Sequence, residues 1–365
     1  MNEKEHSHKL RILVLWSRPS GYLHACLEAL AQRPEVSHVL TVMQPPHSDE
    51  APYDLERLQG HYERFFMSLS DNAEPLKKAV QGLAPHLVLA GGSWRHGPYR
   101  QVLRQLRGKA VRVLCMDTQW HGTLRQRFLQ VIMRGQRRAF YDRAFVAGTR
   151  QASYARHLGF KEHEIQTGLY ACDFQRFSKA LQNTSAGRFA KPAFLYIGRL
   201  VRHKGVQELI RGYALYRQEC ANPWPLRICG EGPLKEALQT APGVEYLGFI
   251  QPEELPDIMV RHAALLVPSH YEPWGVVIHE GAAAGMALVC SKACGATDFF
   301  LQDSVNGVLL PQVTAASVAR AMQVMSSHSE ECLAAMGAAS RQLAAGLTPV
   351  EWAEKVIRFV DHDAK

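Results

Sequence analysis

The stretch LLVPSHYEPWGVVIHEGAAAG, residues 265–285, decides the reading of the fold. An aliphatic run stops at Pro268 as a short buried strand does, and an Ala-rich helical pattern opens after Gly275. Between them Pro273 and Gly275 let the backbone turn tightly. Doubly wound sheets bind ligands at strand C-terminal ends of this kind. A helix starting after Gly275 offers unpaired N–H groups and the positive end of its dipole, so a phosphate is the natural guest. Glu280 falls in the second turn of that helix, eight positions beyond Glu272. With a pyrophosphate at the helix start, Glu280 is placed to accept hydrogen bonds from two vicinal hydroxyls, as an acidic residue does with a ribose. Glu272, in the loop, faces the sugar side. Either carboxylate alone reads as an ordinary surface side chain; the two together in this setting do not.

On either side of this stretch, short aliphatic or β-branched runs alternate with amphipathic stretches along the chain, the signature of parallel α/β architecture. The runs predict strands at residues 11–16, 38–42, 86–90, 111–116 and 144–147, and a second series at 194–197, 226–229, 244–247, 264–267, 288–290 and 307–310. Two Rossmann-like sheets in tandem follow. Residues 179–191, rich in Ser, Asn, Gly and Ala, have the composition of a linker, and residues 314–360 read as wholly helical.

At 365 residues the chain is long enough for two full cores. No apolar run reaches the roughly 18 residues of a membrane span, and residues 1–9 are polar, so a soluble, uncleaved, cytoplasmic protein is expected. The eight cysteines show no Cys-x-x-Cys pair and no metal-ligand spacing, which favours buried reduced thiols. The net charge of +8 is uneven: residues 1–180 hold 26 Lys+Arg against 16 Asp+Glu, and the rest hold 16 against 18. Between Arg95 and Arg138 eleven basic residues face a single acid, Asp117. Such a patch suits nucleic acid, anionic lipid or a phosphorylated substrate, or is simply solvated.

The motif at Glu272–Gly285 resembles the signature of glycosyltransferase family 4, two Glu separated by seven residues. Gly198-Arg199-Leu200-Val201-Arg202-His203-Lys204-Gly205 resembles the loop after the first donor-domain strand of the same family. Gly230-Glu231-Gly232-Pro233 and Gly248-Phe249-Ile250 follow in the family's order and spacing, and Asp173 to Phe177 resembles the end of its inter-domain segment. The likeness is strong over residues 168–311 and weaker before them, where this family varies with acceptor. It implies a GT-B fold: two Rossmann-like α/β domains facing each other across a cleft, with C-terminal helices crossing back. The expected division is an acceptor-binding domain at residues 1–180, a nucleotide-sugar donor domain at 181–345 and a helix at 346–365 that packs on the first domain.

The same likeness implies a retaining transfer from a nucleotide-diphosphate sugar, UDP-linked by expectation, to a carbohydrate or lipid-linked acceptor in cell-surface polysaccharide or glycolipid synthesis. Arg199, Lys204, Glu272 and His121 are the expected catalytic residues. Gly198, Glu231, Gly232, Phe249, Ile250, Pro273, Trp274, Gly275, Val276 and Glu280 are the expected donor-binding set, with the base read by backbone groups near Phe249 and Ile250. Elementary electrostatics supports the two cations: breaking the anomeric bond leaves charge on the diphosphate, which an Arg fork and a Lys point charge stabilise most in the transition state. Arg202 and His203 stand where an acid is often found before the Lys, and read as exposed. The only Asp-x-Asp spacing is Asp361–Asp363 in the tail, so no metal and no cofactor is expected, the two cations taking the role of a divalent ion.

In the N-terminal half, Asp117-Thr118-Gln119-Trp120-His121-Gly122 follows a strand end, where His121 either touches the donor sugar or is structural. Gly21, after the first strand, reads as a ligand-side loop or an ordinary turn. Residues 123–140 carry Leu124, Phe128, Val131 and Ile132 among five arginines, a pattern for a basic amphipathic helix seated on an anionic membrane at the inner face of the cell, or for a core-packing helix with solvated arginines. A nucleotide-sugar epimerase on the same fold is the competing enzyme. Nucleic acid is not an expected partner, because aromatic residues do not interleave the basic patch.

Overall fold

Aliphatic runs with no polar alternation can be buried on both faces only in a sheet covered by helices on each side, and the chain builds two such sheets. The computed structural model describes residues 9–45, 59–68, 72–91, 96–183, 187–239 and 241–361; Arg95, His362 and Asp363 lie outside them. Among these residues the chain divides into two units, one of residues 9–171 with 349–361 and one of residues 172–348.

The first unit holds β1 (Leu10–Leu15), β2 (Val36–Met43), β3 (Glu63–Phe66), β4 (Leu87–Gly91), β5 (Val111–Met116), β6 (Arg143–Val146) and β7 (Ile165–Thr167). Their order is β3-β2-β1-β4-β5-β6-β7, with every pairing parallel. Helices α1 (Gly21–Ala31), α2 (Glu74–Leu83), α3 (Gly97–Gln105), α4 (Leu124–Phe140) and α5 (Thr149–His157) connect them. Ser20 accepts a hydrogen bond from the Leu23 N–H and so caps α1, which makes Gly21 a helix start.

In the second unit β8 (Phe194–Ile197), β9 (Leu226–Cys229), β10 (Val244–Gly248), β11 (Ala264–Val267), β12 (Ala287–Ser291) and β13 (Gly307–Leu310) lie in the order β10-β9-β8-β11-β12-β13, again all parallel. This is the doubly wound order of a dinucleotide-binding sheet, and it reverses between β8 and β11, where such sheets bind ligands. The helices are α6 (Phe174–Gln182), α7 (Val206–Glu219), α8 (Lys235–Gln239), α9 (Leu255–Met259), α10 (Val276–Ala283), α11 (Thr297–Phe300), α12 (Ala315–Ser326) and α13 (Glu330–Ala344).

The division falls after Ala171 rather than near residue 180 because α6 packs on α9 and α10, and Arg341 donates to Ser178 Oγ. At the other end α14 (Pro349–Asp361) belongs to the first unit and packs on α1. Trp352 anchors it: the ring is buried beside Phe145, and its indole N–H donates to the Leu169 carbonyl at 2.7 Å. Burying a side chain of this size contributes about 3 kcal/mol, enough to hold a terminal helix in place.

Two members of the basic run are core residues. Arg112 is 1% exposed, forked onto Asp142 at 2.8 and 2.9 Å, and Arg137 is clamped on Glu164 at 2.9 Å. The Arg137–Glu164 pair is buried on both sides, whereas Asp142 keeps 34% of its side chain exposed; neither arginine reaches the surface, so the patch is smaller than the composition implies. All eight cysteines are free thiols. Among the described residues no helix is long and apolar enough to cross a membrane.

Candidate functional site

The loop after β8 is shaped by backbone contact. Gly205 has φ +71°, and a Cβ there would lie 1.8 Å from the Pro268 carbonyl oxygen, so no other residue fits without moving the loop after β11. Gly230 is held likewise at φ +137°, 1.9 Å from the Gly198 carbonyl by the same measure. Hydrogen bonds fasten these loops together: Leu200 N–H to the Glu231 carbonyl at 2.8 Å, Gly230 N–H to the Gly248 carbonyl at 2.8 Å, and His270 N–H to the His203 carbonyl at 2.8 Å. The four motifs, far apart in sequence, therefore meet at the ends of β8, β9, β10 and β11. Gly198, Glu231, Gly232, Phe249 and Ile250 all sit on this rim.

The side chains on the rim make one charged cluster. Lys204 and Glu272 form a short ion pair, each with only a small part of its side chain reaching water. Arg199 is exposed, and its carbonyl accepts the Tyr196 hydroxyl at 3.0 Å. Arg202 and His203 are exposed as expected. His203 nevertheless feels the cluster: partial burial, then the charges of Lys204 and Arg199, hold its imidazole below the usual range, with Glu272 opposing. Burial pushes the buried Tyr196 phenol up, reinforced by Glu272 and offset by Arg199. Lys204, Arg199 and Glu272 thus all influence His203, and Glu272 and Arg199 both influence Tyr196.

Past Pro273 the buried Trp274 packs beside Phe299 and Phe300, and Gly275 turns at φ +94° into α10, which no side chain caps. The Ile278 N–H donates to the Gly275 carbonyl at 3.0 Å, and the positive end of the helix dipole at Val276 suits an anion. Glu280 is half-buried, and among the described residues neither a cation nor a hydrogen-bond donor meets its carboxyl. Burial alone lifts that carboxyl to about 7. His279, next to it, is structural: fully buried, stacked on Phe300, Nδ1 accepting from Cys172 N–H and Nε2 donating to the Ala344 carbonyl. Burial lowers its pKa to about 4, so it stays neutral.

A support that no motif signalled is the loop after β12. Gly295 N–H donates to the Glu272 carbonyl at 3.1 Å and Ala296 N–H to the Trp274 carbonyl at 2.9 Å. The Ser291 hydroxyl ties the start of that loop to the Ser269 carbonyl at 2.5 Å. The Gly295 that follows a strand was the one available hint.

In the first unit, the loop after β5 is described by itself. His121 is exposed, and its backbone N–H donates to Gln126 Oε1 at 2.8 Å. Asp117 accepts the Tyr170 hydroxyl at 3.2 Å. Beside this loop lies a cavity of about 500 Å³, walled by Leu114, Met116, Leu129, Met133 and Tyr154 with Asp117 and Arg125 among its polar groups. Such a volume and lining suit a small ligand with an apolar portion.

Comparison with known proteins agrees with this geometry. Residues 182–342 match the family described as Glycosyl transferases group 1. The chain is 32% identical over 139 residues to a glycogen synthase of Mycobacterium tuberculosis, covering 36% of this chain and 33% of that one. It is 30% identical over 106 residues to O-antigen chain mannosyltransferase B of Escherichia coli, covering 27% and 28%. The match thus spans about a third of the length of these curated relatives. In fold, 97% of the chain superimposes on all of HepE from Anabaena, solved in complex with UDP and glucose, at TM-score 0.70 and 17% identity. Sucrose-phosphate synthase from Thermosynechococcus elongatus gives TM-score 0.73 at 18% identity, over 96% and 98% of the two chains. The fold is GT-B.

Proposed function

We propose that the protein is a retaining glycosyltransferase that moves a sugar from a nucleotide-diphosphate donor, UDP-linked by preference, to a carbohydrate or lipid-linked acceptor in cell-surface polysaccharide or glycolipid synthesis. The observation that carries the reading is the convergence of Arg199, Lys204 and Glu272 at the sheet's switch point, beside an uncapped helix start and an unpartnered Glu280. A diphosphate satisfies the two cations and the positive end of the α10 dipole together. The ribose hydroxyls satisfy Glu280. Complexes of HepE with UDP make UDP-sugars the first donors to test.

In this reaction the bond between the anomeric carbon and the β-phosphate oxygen breaks, and the electron pair leaves on the diphosphate. The acceptor oxygen attacks the same face, and its proton passes to the departing phosphate oxygen. Arg199 and Lys204 stabilise the charge that grows there, which lowers the barrier because that charge is greatest in the transition state. Glu272, paired with Lys204 in the free protein, orients that ammonium and turns toward the sugar hydroxyls. The apolar cavity under α4 is where an acceptor bearing an apolar portion is expected to lodge.

The test is a thermal-shift panel of UDP-, GDP- and ADP-sugars followed by an acceptor-dependent assay for released diphosphate. A ligand at a hundred times its dissociation constant stabilises by about 2.7 kcal/mol, a shift that is easily read. No shift with any of them overturns the reading, and an epimerised sugar formed from donor alone favours the epimerase.

A further inference from the structure

Helix α4 turns its apolar stripe outward. The most exposed large hydrophobic side chains among the described residues are Leu124 at 85%, Val131 at 73% and Phe128 at 67%, and all three belong to this helix. At 3.6 residues per turn they fall within an arc of roughly 60°. The opposite side of the helix, Gln126, Met133, Arg137 and Phe140, is buried and supplies its attachment to the sheet. The hydrophobic residues are therefore not the ones that fold the helix, and a ridge of this kind in water is unfavourable unless something covers it.

The surroundings say what covers it. Arg127, Arg134 and Arg138 line one flank of the ridge and Arg125 the other, all exposed. The helix contains no acidic residue. Glu164, which faces Arg138 at 3.6 Å, is already neutralised by Arg137 at 2.9 Å. A protein partner of ordinary composition would need a matching acidic rim, and a second copy would bring the same positive charge against itself. An apolar ridge between rows of guanidinium groups matches the layering of an anionic bilayer, with acyl chains inside and phosphates beside them.

We infer that α4 is the membrane-docking element: it lies in the plane of an anionic bilayer with Leu124, Phe128 and Val131 in the acyl boundary and the flanking arginines among the phosphates. The docking is reversible, since three side chains and a few charges fall far short of an anchor. This inference stands on the first unit alone. Its failure leaves the donor site untouched, and a protein that binds no nucleotide sugar would still dock.

The experiment is co-sedimentation of the full chain with vesicles of phosphatidylcholine alone and with 30% phosphatidylglycerol on the order used to mimic anionic leaflets. Compared with it are the Leu124→Ser/Phe128→Ser/Val131→Ser variant and an Arg127→Gln/Arg138→Gln variant, with donor-induced thermal shift as the check on folding. Wild type is expected to sediment with anionic vesicles only, less as salt rises. The ridge variant should lose at least tenfold in partitioning, and the arginine variant roughly thirtyfold at about fivefold per charge, both with the donor response intact. Equal binding to neutral vesicles, or a ridge variant that partitions like wild type, overturns the inference. So does a wild-type dimer in sedimentation velocity that the ridge variant dissociates, which would assign the ridge to a second copy.

Discussion

Replacing Glu280 by Gln should make the free protein more stable and its donor binding worse. The carboxyl has no partner among the described residues, and burial holds its pKa at about 7 against 4.5 for the ordinary group. The native state therefore keeps a proton that the unfolded chain has released, and stability falls as pH rises through the window from about 4.5 to about 7. Above that window the ionised carboxylate costs the fold about 3 kcal/mol. Gln removes the charge but leaves a buried amide worth about 1 kcal/mol of desolvation, so the variant should gain about 2 kcal/mol at pH 8 and nothing at pH 4.5. For a unit of this size that is a rise of roughly 4–8 °C in the unfolding midpoint.

Ligand binding should move the other way. Hydrogen bonds to a charged acceptor contribute about 1.5–3 kcal/mol, so losing the carboxylate should weaken UDP binding roughly tenfold to a hundredfold. Wild-type affinity should also increase as pH rises through about 7, and the variant's should not. Scanning fluorimetry from pH 4.5 to 8 and titration calorimetry with UDP read the two effects. If the variant's midpoint tracks wild type at every pH, the buried-charge argument is wrong; if its affinity for UDP is unchanged, Glu280 does not hold the ribose.

Three further outcomes follow from the same rim. Arg199→Ala should lower turnover roughly a hundredfold, on the order of 3 kcal/mol of transition-state stabilisation, while the exposed position leaves the unfolding free energy unchanged within about 0.5 kcal/mol. Lys204→Ala strips the partly buried Glu272 of its cation and should cost about 2 kcal/mol of stability by urea denaturation as well as activity. Transfer should survive excess EDTA, because Arg199 and Lys204 meet the charge a divalent ion would otherwise meet; abolition by chelator would sink the metal-free mechanism.

The central strands β5, β8, β9 and β11 begin and end where the sequence places them, because burial demands predominantly aliphatic runs, and the edge strand β13, Gly-Val-Leu-Leu, shares that signal. The edge strands β3, Glu-Arg-Phe-Phe, and β7, Ile-Gln-Thr, escaped that reading. Each is short, and every residue in them keeps some exposure, so the aliphatic signal is missing. Arg112 and Arg137 were misplaced on the surface for the opposite reason: a composition count sees the charge, while Asp142 and Glu164, which bury it, lie 30 and 27 positions away. For α4 the sequence shows a stripe but not which way it faces. That direction is set by Gln126, Met133, Arg137 and Phe140, whose burial leaves the stripe on the opposite side.

The rim at the ends of β8–β11 could be read from sequence because its geometry is written in glycine. At Gly205 and Gly230 a single methyl group would collide with a backbone oxygen at under 2 Å, so the close approach of the loops leaves a mark in sequence whatever sugar is carried. The first unit has, among its described residues, no glycine that would bring a Cβ so close to a backbone atom. Its loop after β5 is fixed by side chains, Gln126 holding the His121 N–H and Gln151 the Asp117 carbonyl, and several residue types could do either task. Phosphate recognition constrains the backbone, whereas acceptor recognition constrains side chains that differ with each acceptor. On the proposed function, the legible half of the protein is the half that would meet a ligand of fixed shape. It follows that grafting a different loop into residues 117–123 should change which acceptor is used while leaving the UDP-induced thermal shift as it was, and a graft that removes the shift would show that the two functions are not separable in this way.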